Sequence, residues 1–274
     1  MGKKIITEEL KKQIINFYLS KPMTLKEVGE KFSLSNPTII KILKEVPKYS
    51  RAQINSPNLN EGLFQDINDE YSAYFLGLLI SDGNVYINEE DGRQASISIT
   101  LQEQDKYILE SFKEVLKANT KISFDNRGSC QLAVRSNKMA EDLSKFGIVP
   151  RKSFITYLPK IKEEFMPHLM RGIFDGDGSI IAKTNDKTNR FMHAISFCGS
   201  FDLMTDISNY CDEILKLNQK PSIYSYKDRR LSEIKLQNIK DIYKIGEWMY
   251  KDCTICLKRK KDIYLDFKNH YNLN

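Results

Sequence analysis

Apolar residues recur every three to four positions over 7–19, where Leu10, Ile14, Ile15, Phe17 and Tyr18 can share one side, and again over 24–32, where Val28 and Phe32 do. This period predicts two amphipathic helices. Thr24-Leu25-Lys26-Glu27 opens the second as a capping box, the threonine and glutamate each satisfying a free amide. Ser33-Leu34-Ser35 reads as a turn, and Asn36 as the N-cap of a third helix with Pro37 in its first position. Ile39, Ile42 and Leu43 give that helix one buried stripe. Residues 47–62, PKYSRAQINSPNLNEG, lose the period and read as a linker.

Beyond residue 62 the pattern becomes long apolar runs followed by alternating strands, and it occurs twice. Residues 74–86, YFLGLLISDGNVY, resemble residues 168–181, HLMRGIFDGDGSII, with Asp82 and Asp177 at matching places. After Asp82 the pattern predicts strands at 84–88 and 95–101, a helix at 104–117, strands at 121–124 and 130–135, and a helix at 137–146. After Asp177 it predicts strands at 179–183 and 193–198, a helix at 201–217, strands at 222–226 and 231–236, and a helix at 239–250. The fold class is therefore α+β: two αββαββα repeats about a pseudo-two-fold axis, preceded by a small all-α module. The expected divisions are 1–50, a linker at 51–62, a first repeat at 63–160 and a second at 161–274.

Charge sharpens the reading of the first division. The chain of 274 residues has 42 basic and 36 acidic side chains, a net charge of +6. Residues 1–50 hold ten lysines and five glutamates, so nearly all the excess sits there. A basic segment on a near-neutral body suggests a nucleic-acid module. The three short helices resemble a DNA-binding helix-turn-helix, which implies a third helix in the major groove. Its outer face presents Thr38 for a base edge and Lys41 and Lys44, with Lys48 just beyond, for phosphates. The start, MGKKIITEELKK, has no apolar stretch or cleavage site, and no apolar run is long enough for a membrane span. We expect no membrane partner and a cytoplasmic, nucleoid-associated protein of a bacterial or phage-infected cell.

The two runs resemble the motif of the LAGLIDADG homing endonucleases in their two-motif, single-chain form. The nine positions are Phe75-Leu76-Gly77-Leu78-Leu79-Ile80-Ser81-Asp82-Gly83 and Met170-Arg171-Gly172-Ile173-Phe174-Asp175-Gly176-Asp177-Gly178. The resemblance covers residues 63–270 and leaves the helix-turn-helix outside. It implies a DNA-binding saddle, a monomer with internal pseudo-symmetry, and site-specific cleavage of double-stranded DNA. The position-eight acids, Asp82 and Asp177, would bind the metal, with Ser81 and Gly176 beside them in the same set. Position six differs, Ile80 against Asp175, so it carries no shared catalytic duty. Position two holds Leu76 and Arg171 in place of alanine, so the helix seam is asymmetric.

The physics of the residues points the same way. Gly77 and Gly172 lie mid-helix, where glycine costs ~1 kcal/mol against alanine, and make sense if another backbone must approach closely. Gly83 and Gly178 follow the helix ends, where glycine takes the left-handed conformation readily. Two helices packed side by side would bring Asp82 and Asp177 together at negative helix ends, where they repel unless a cation lies between them. Hard cations such as Mg2+, or Mn2+ or Ca2+, take oxygen ligands of this kind, which points to metal-assisted phosphodiester hydrolysis.

Further candidates follow from the repeat. The resemblance implies a basic residue near each active centre; Lys152 and Lys258 fall at matching offsets after Leu143 and Met249, and a lysine there would stabilise developing charge at the scissile phosphate. Arg259, Lys260 and Lys261 would touch phosphates. Strand alternation makes Tyr86, Gln131, Arg135, Lys183, Lys235, Ser96 and Ser98 the groove-facing set. Asp105 and Asp202 read as helix caps, and Cys253-Thr-Ile-Cys256 lacks the second ligand pair a zinc site needs. Two alternatives stay open: a non-catalytic transcriptional regulator on the same fold, which has no need of both acids, and an intron RNA maturase.

Overall fold

Helices α1 (Glu8–Leu19), α2 (Leu25–Phe32) and α3 (Asn36–Ile42) enclose their own core of Ile14, Tyr18, Met23, Val28, Ile39 and Leu43 in a computed structural model of the chain. The structure describes residues 6–49, 51–87, 94–225 and 231–273; Asn88 and Tyr226, the expected ends of two strands, lie outside them. The capping box forms, with Glu27 N–H donating to Thr24 Oγ1 at 3.1 Å and Thr24 N–H donating to the Glu27 carboxylate at 2.5 Å. Ser35, not Asn36, takes the N-cap place of α3, which moves Asn36 and Pro37 one position inward.

The expected linker is ordered against the body. Residues 51–55 form a short helix, α4 (Arg51–Asn55). Asn119 N–H then donates to Ser56 Oγ at 3.1 Å, Asn60 N–H to Leu116 O at 2.8 Å, and Ser136 Oγ to Glu61 Oε1 at 2.5 Å. Those bonds are made to distant residues, so no local period announces them.

The first repeat runs α5 (Glu70–Ser81), β1 (Gly83–Tyr86), β2 (Ser96–Gln102), α6 (Lys106–Val115), β3 (Ser123–Phe124), β4 (Ser129–Arg135) and α7 (Asn137–Ser144). The second runs α8 (Met166–Asp177), β5 (Ser179–Thr184), β6 (Phe191–Gly199), α9 (Phe201–Glu213), β7 (Ile223–Ser225), β8 (Ser232–Leu236) and α10 (Ile239–Tyr250). Both sheets are antiparallel with the same strand order, β1-β2-β4-β3 and β5-β6-β8-β7. The expected αββαββα plan is present twice. The second repeat adds α11 (Lys258–Tyr271), which packs on β5.

Helix α5 begins four residues before the expected Tyr74, because Asp69 and Ser72 make a capping box, with Ser72 N–H donating to Asp69 Oδ1 at 2.7 Å. Residues 72–80 are all buried, so the helix is apolar around its whole circumference. It packs along α8, and one core continues through both repeats. The glycines set that contact. A Cβ on Gly77 would lie 2.1 Å from Leu169 O, and one on Gly172 would lie 2.0 Å from Tyr74 O. Each glycine faces the other helix's backbone, and a Cβ on either would lie 3.0 Å from the other's Cα.

Gly83 and Gly178 are not left-handed, contrary to expectation: Gly178 is extended (φ −87°, ψ 164°), and Gly83 has no positive φ. Each helix passes straight into its strand. Glycine is required there because a Cβ would strike Leu79 O at 2.5 Å or Phe174 O at 2.4 Å.

Candidate active site

Asp82 caps the C-terminus of α5, and Asp177 is the last residue of α8. The seam brings those ends together. A Cβ on Gly176 would touch Ser81 Oγ at 2.0 Å and lie 3.2 Å from Asp82 Oδ2. Burial, followed by the neighbouring Asp177 charge, raises the Asp82 carboxyl to about 6. Asp177 opens more to the concave side, yet burial raises its carboxyl too. Among the described residues no donor hydrogen-bonds either carboxylate.

Two lysines approach from opposite sides. Lys152 is buried, and its Nζ donates to Ile80 O at 2.8 Å and Ser81 O at 3.2 Å. Lys260 is equally buried and donates to Phe174 O at 2.6 Å, Asp175 O at 2.8 Å and Gly178 O at 2.6 Å. Each ammonium thus sits on the carbonyls that end one motif helix, where a cation offsets the helix dipole. Burial lowers the pKa of both lysines, that of Lys260 to about 8.

Lys258 is not at the centre. It is exposed, with its Nζ over the Tyr107 ring at 5.0 Å. The connections after α7 and α10 are equally long, but the structural partner of Lys152 is Lys260, two residues further on in the first turn of α11, which the sequence pattern placed on phosphates. Arg259 Nε donates to the buried Asp105 at 3.0 Å and ties α11 to the first repeat. Asp105 therefore makes an ion pair instead of a cap. At α9 the cap is Ser200, whose side chain accepts from Leu203 N–H, so Asp202 lies two residues inside, in the first turn. Ser81 Oγ donates back to Gly77 O at 3.2 Å, and the Ser81 carbonyl already accepts from Lys152.

The second motif also builds a polar brace that sequence reading missed. Arg171 is fully buried, and its guanidinium donates to Ile255 O at 2.8 Å, Met249 O at 2.6 Å and Glu70 Oε1 at 2.6 Å. Glu70 also accepts from Thr254 N–H at 2.9 Å and Thr254 Oγ1 at 2.8 Å. Asp175 Oδ2 accepts from Tyr74 O–H at 2.9 Å and Leu257 N–H at 2.7 Å. These groups fix the loop that leads into Lys260.

The strand residues behave as alternation requires. In the first sheet Ile97, Ile99, Leu132 and Val134 face the core, so Tyr86, Ser96, Gln131 and Arg135 lie on the open side. Ser98 shares that side but is buried between its neighbours. Gln131 Nε2 donates to Thr100 Oγ1 at 2.9 Å. In the second sheet Lys183 and Lys235 lie opposite the buried Ile180 and Ile234. On the N-terminal module Lys41, Lys44 and Lys48 are exposed, while Thr38 is half-buried and shares a 2.9 Å hydrogen bond with Ser35. Among the described residues no helix is long and apolar enough to cross a membrane.

No protein-family model matches the chain, and no curated protein matches it in sequence. Solved structures do match. The LAGLIDADG meganuclease I-AabMI bound to uncleaved DNA is similar with a TM-score of 0.52 and 15% identity, over 75% of this chain and 91% of that one. The fold is that of the LAGLIDADG homing endonucleases. The meganuclease I-SmaMI bound to an uncleaveable DNA gives a TM-score of 0.51 and 13% identity, over 74% and 92% of the two chains. The LAGLIDADG homing endonuclease I-LtrWI bound to target DNA gives 0.50 and 13%, over 74% and 90%. The likeness at such identities lies in the LAGLIDADG architecture of paired motif helices and two concave sheets.

Proposed function

We propose that this chain is a site-specific double-strand DNA endonuclease that acts as a monomer and hydrolyses phosphodiester bonds with a divalent cation held by Asp82 and Asp177. The observation that carries this reading is the acid pair: two crowded carboxylates with raised pKa and, among the described residues, no hydrogen-bond donor, at the ends of two locked helices. Carboxylates in that state suit Mg2+, Mn2+ or Ca2+, and I-SmaMI has been solved on its DNA target in the presence of calcium ions. A bound cation supplies charge stabilisation at the phosphate and a more acidic attacking water. Lys152 and Lys260 neutralise the helix ends, which lets both carboxylates stay ionised beside a phosphate. The open sides of the two sheets, with Tyr86, Gln131, Arg135, Lys183 and Lys235, read the duplex. The N-terminal module adds phosphate contacts through Lys41, Lys44 and Lys48 as a helix-turn-helix.

A randomised plasmid library incubated with Mg2+ tests the activity. Wild type linearises a subset of targets. Asp82→Asn and Asp177→Asn each lose cleavage by ~1000-fold or more while binding the selected site within a few-fold. Either variant cutting at the wild-type rate removes the acid pair from the mechanism. Removing residues 1–50 weakens binding and flattens its salt dependence, since log affinity falls by ~0.9 per neutralised phosphate per tenfold salt. An unchanged salt slope excludes that segment from the DNA contact.

A further inference from the structure

The loop between α10 and α11 carries two cysteines, Cys253 and Cys256, separated by two residues, and each thiol shifts the ionisation of the other. Cys253 is half-buried, and Lys261 Nζ approaches its sulfur at 3.5 Å; Cys256 is buried beneath it. The loop is pinned on every side. Glu70 holds Thr254, Arg171 holds Ile255 O and Met249 O, and Tyr107 O–H donates to Cys256 O at 3.1 Å. Leu257 N–H, next to Cys256, is held by Asp175, and Lys260 follows three residues on. A reachable thiol beside a cation, a buried thiol three positions on, and a short pinned connection to the lysine of the site do not enter the nuclease mechanism.

We propose that Cys253 and Cys256 are a redox-active dithiol, closed to a disulfide by hydrogen peroxide, and that closure shifts the segment carrying Lys260. The Cys256 thiol, with Arg171 and Lys261 nearby, lowers the Cys253 pKa, and Cys253 in turn raises that of Cys256, which makes Cys253 the attacking sulfur. The Cys253 thiolate attacks peroxide: an S–O bond forms, the O–O bond breaks, and the departing hydroxide takes a proton to become water. Cys256 sulfur then attacks the sulfenic sulfur, forming the S–S bond and breaking S–O, and its own proton leaves with the hydroxyl as a second water. Two thiols lose two electrons and one peroxide becomes two waters. The bond fixes the two sulfurs at ~2.05 Å. The pinned loop has little slack, so the displacement passes to Leu257 and the first turn of α11.

The test uses the full chain and no DNA, so it stands or falls apart from the nuclease reading. The protein is treated with graded peroxide, alkylated, digested and analysed by mass spectrometry. The peptide holding residues 253–256 is expected to lose alkylation first, to be two hydrogens lighter, and to recover with dithiothreitol. Cys256→Ser is expected to stop at a dimedone-reactive sulfenic acid on Cys253. Oxidation of Cys198 ahead of this pair, or no dimedone adduct in Cys256→Ser, overturns the assignment. Hydrogen exchange over residues 257–261 should quicken about fivefold on oxidation, as loss of one hydrogen bond does. In the Cys253→Ser/Cys256→Ser double variant it should not respond to peroxide. A disulfide that leaves this exchange unaltered overturns the coupling to Lys260.

Discussion

Position two of the motif is Leu76 in the first repeat and Arg171 in the second, and position six is Ile80 against Asp175. The two motif helices share their seam glycines and their terminal acids, yet the first is apolar around its circumference while the second carries a buried guanidinium and a buried carboxylate. The difference follows from what each must hold. In the first repeat Lys152 follows the connection at once and reaches the helix end directly. In the second a connection of equal length runs into the additional helix α11, and Arg171, Glu70 and Asp175 tie it down before Lys260 arrives in the first turn of that helix. What the chemistry needs is symmetric, and how it is supported is not.

The shared part can be broken first, and there the two halves should respond alike. Gly77→Val and Gly172→Val each place side-chain carbons within a backbone oxygen's radius, at about 2 Å for the Cβ alone. The helices must part along their whole length, so we expect at least the ~1–3 kcal/mol typical of overpacking and loss of the cooperative melt. Even alanine should destabilise both sites, the reverse of an exposed mid-helix glycine. A normal melt for either valine variant contradicts the close seam.

The asymmetric part should break in one half only. Arg171→Leu copies position two of the first repeat but leaves Glu70 beside apolar atoms and orphans the Met249 and Ile255 carbonyls. Removing one partner of a buried ion pair typically costs ~3–5 kcal/mol. Adding Glu70→Gln should restore part of the loss by removing the unpaired charge. Thermal melts of the single and double variants check this, and an Arg171→Leu protein with wild-type stability sinks the brace.

The division between shared and unshared features also decides what was legible in the sequence. The motif is nine residues long, and its glycines and acids do their work through neighbours of the same type in the other copy, so two copies announced the seam and the centre. Strand faces could be read because burial alternates along β2 and β4. Helix α11 was not legible, because its inner stripe is Lys260, Tyr264, Phe267 and Tyr271, and a lysine at the head of a stripe reads as surface. Missing that helix put Lys258 where Lys260 belongs. The Arg259–Asp105 pair and the Glu70 brace join residues far apart in sequence, and no local period carries them.

The smallest effect separates the two acids themselves. The Asp82 carboxyl is raised to about 6 by burial and by Asp177, so its folded value lies above the unfolded ~3.9. A group raised in this sense favours the folded state fully below the unfolded value, and that contribution is lost as pH rises through the folded one. Without a cation, stability from this centre should fall by about 1–3 kcal/mol between pH ~4 and ~7. Mg2+ opposes the loss by binding the ionised pair, so its effect on the melting temperature should be larger at pH 8 than at pH 5. Asp177 is the more open acid, and its replacement should flatten the pH dependence less than Asp82→Asn does. Melting curves of wild type, Asp82→Asn and Asp177→Asn, with chelator and with Mg2+, measure all of these terms. A metal-free pH slope that is the same in wild type and Asp82→Asn means that the carboxylates are not the crowded pair described above, and that the centre has no unmet charge for a cation to answer.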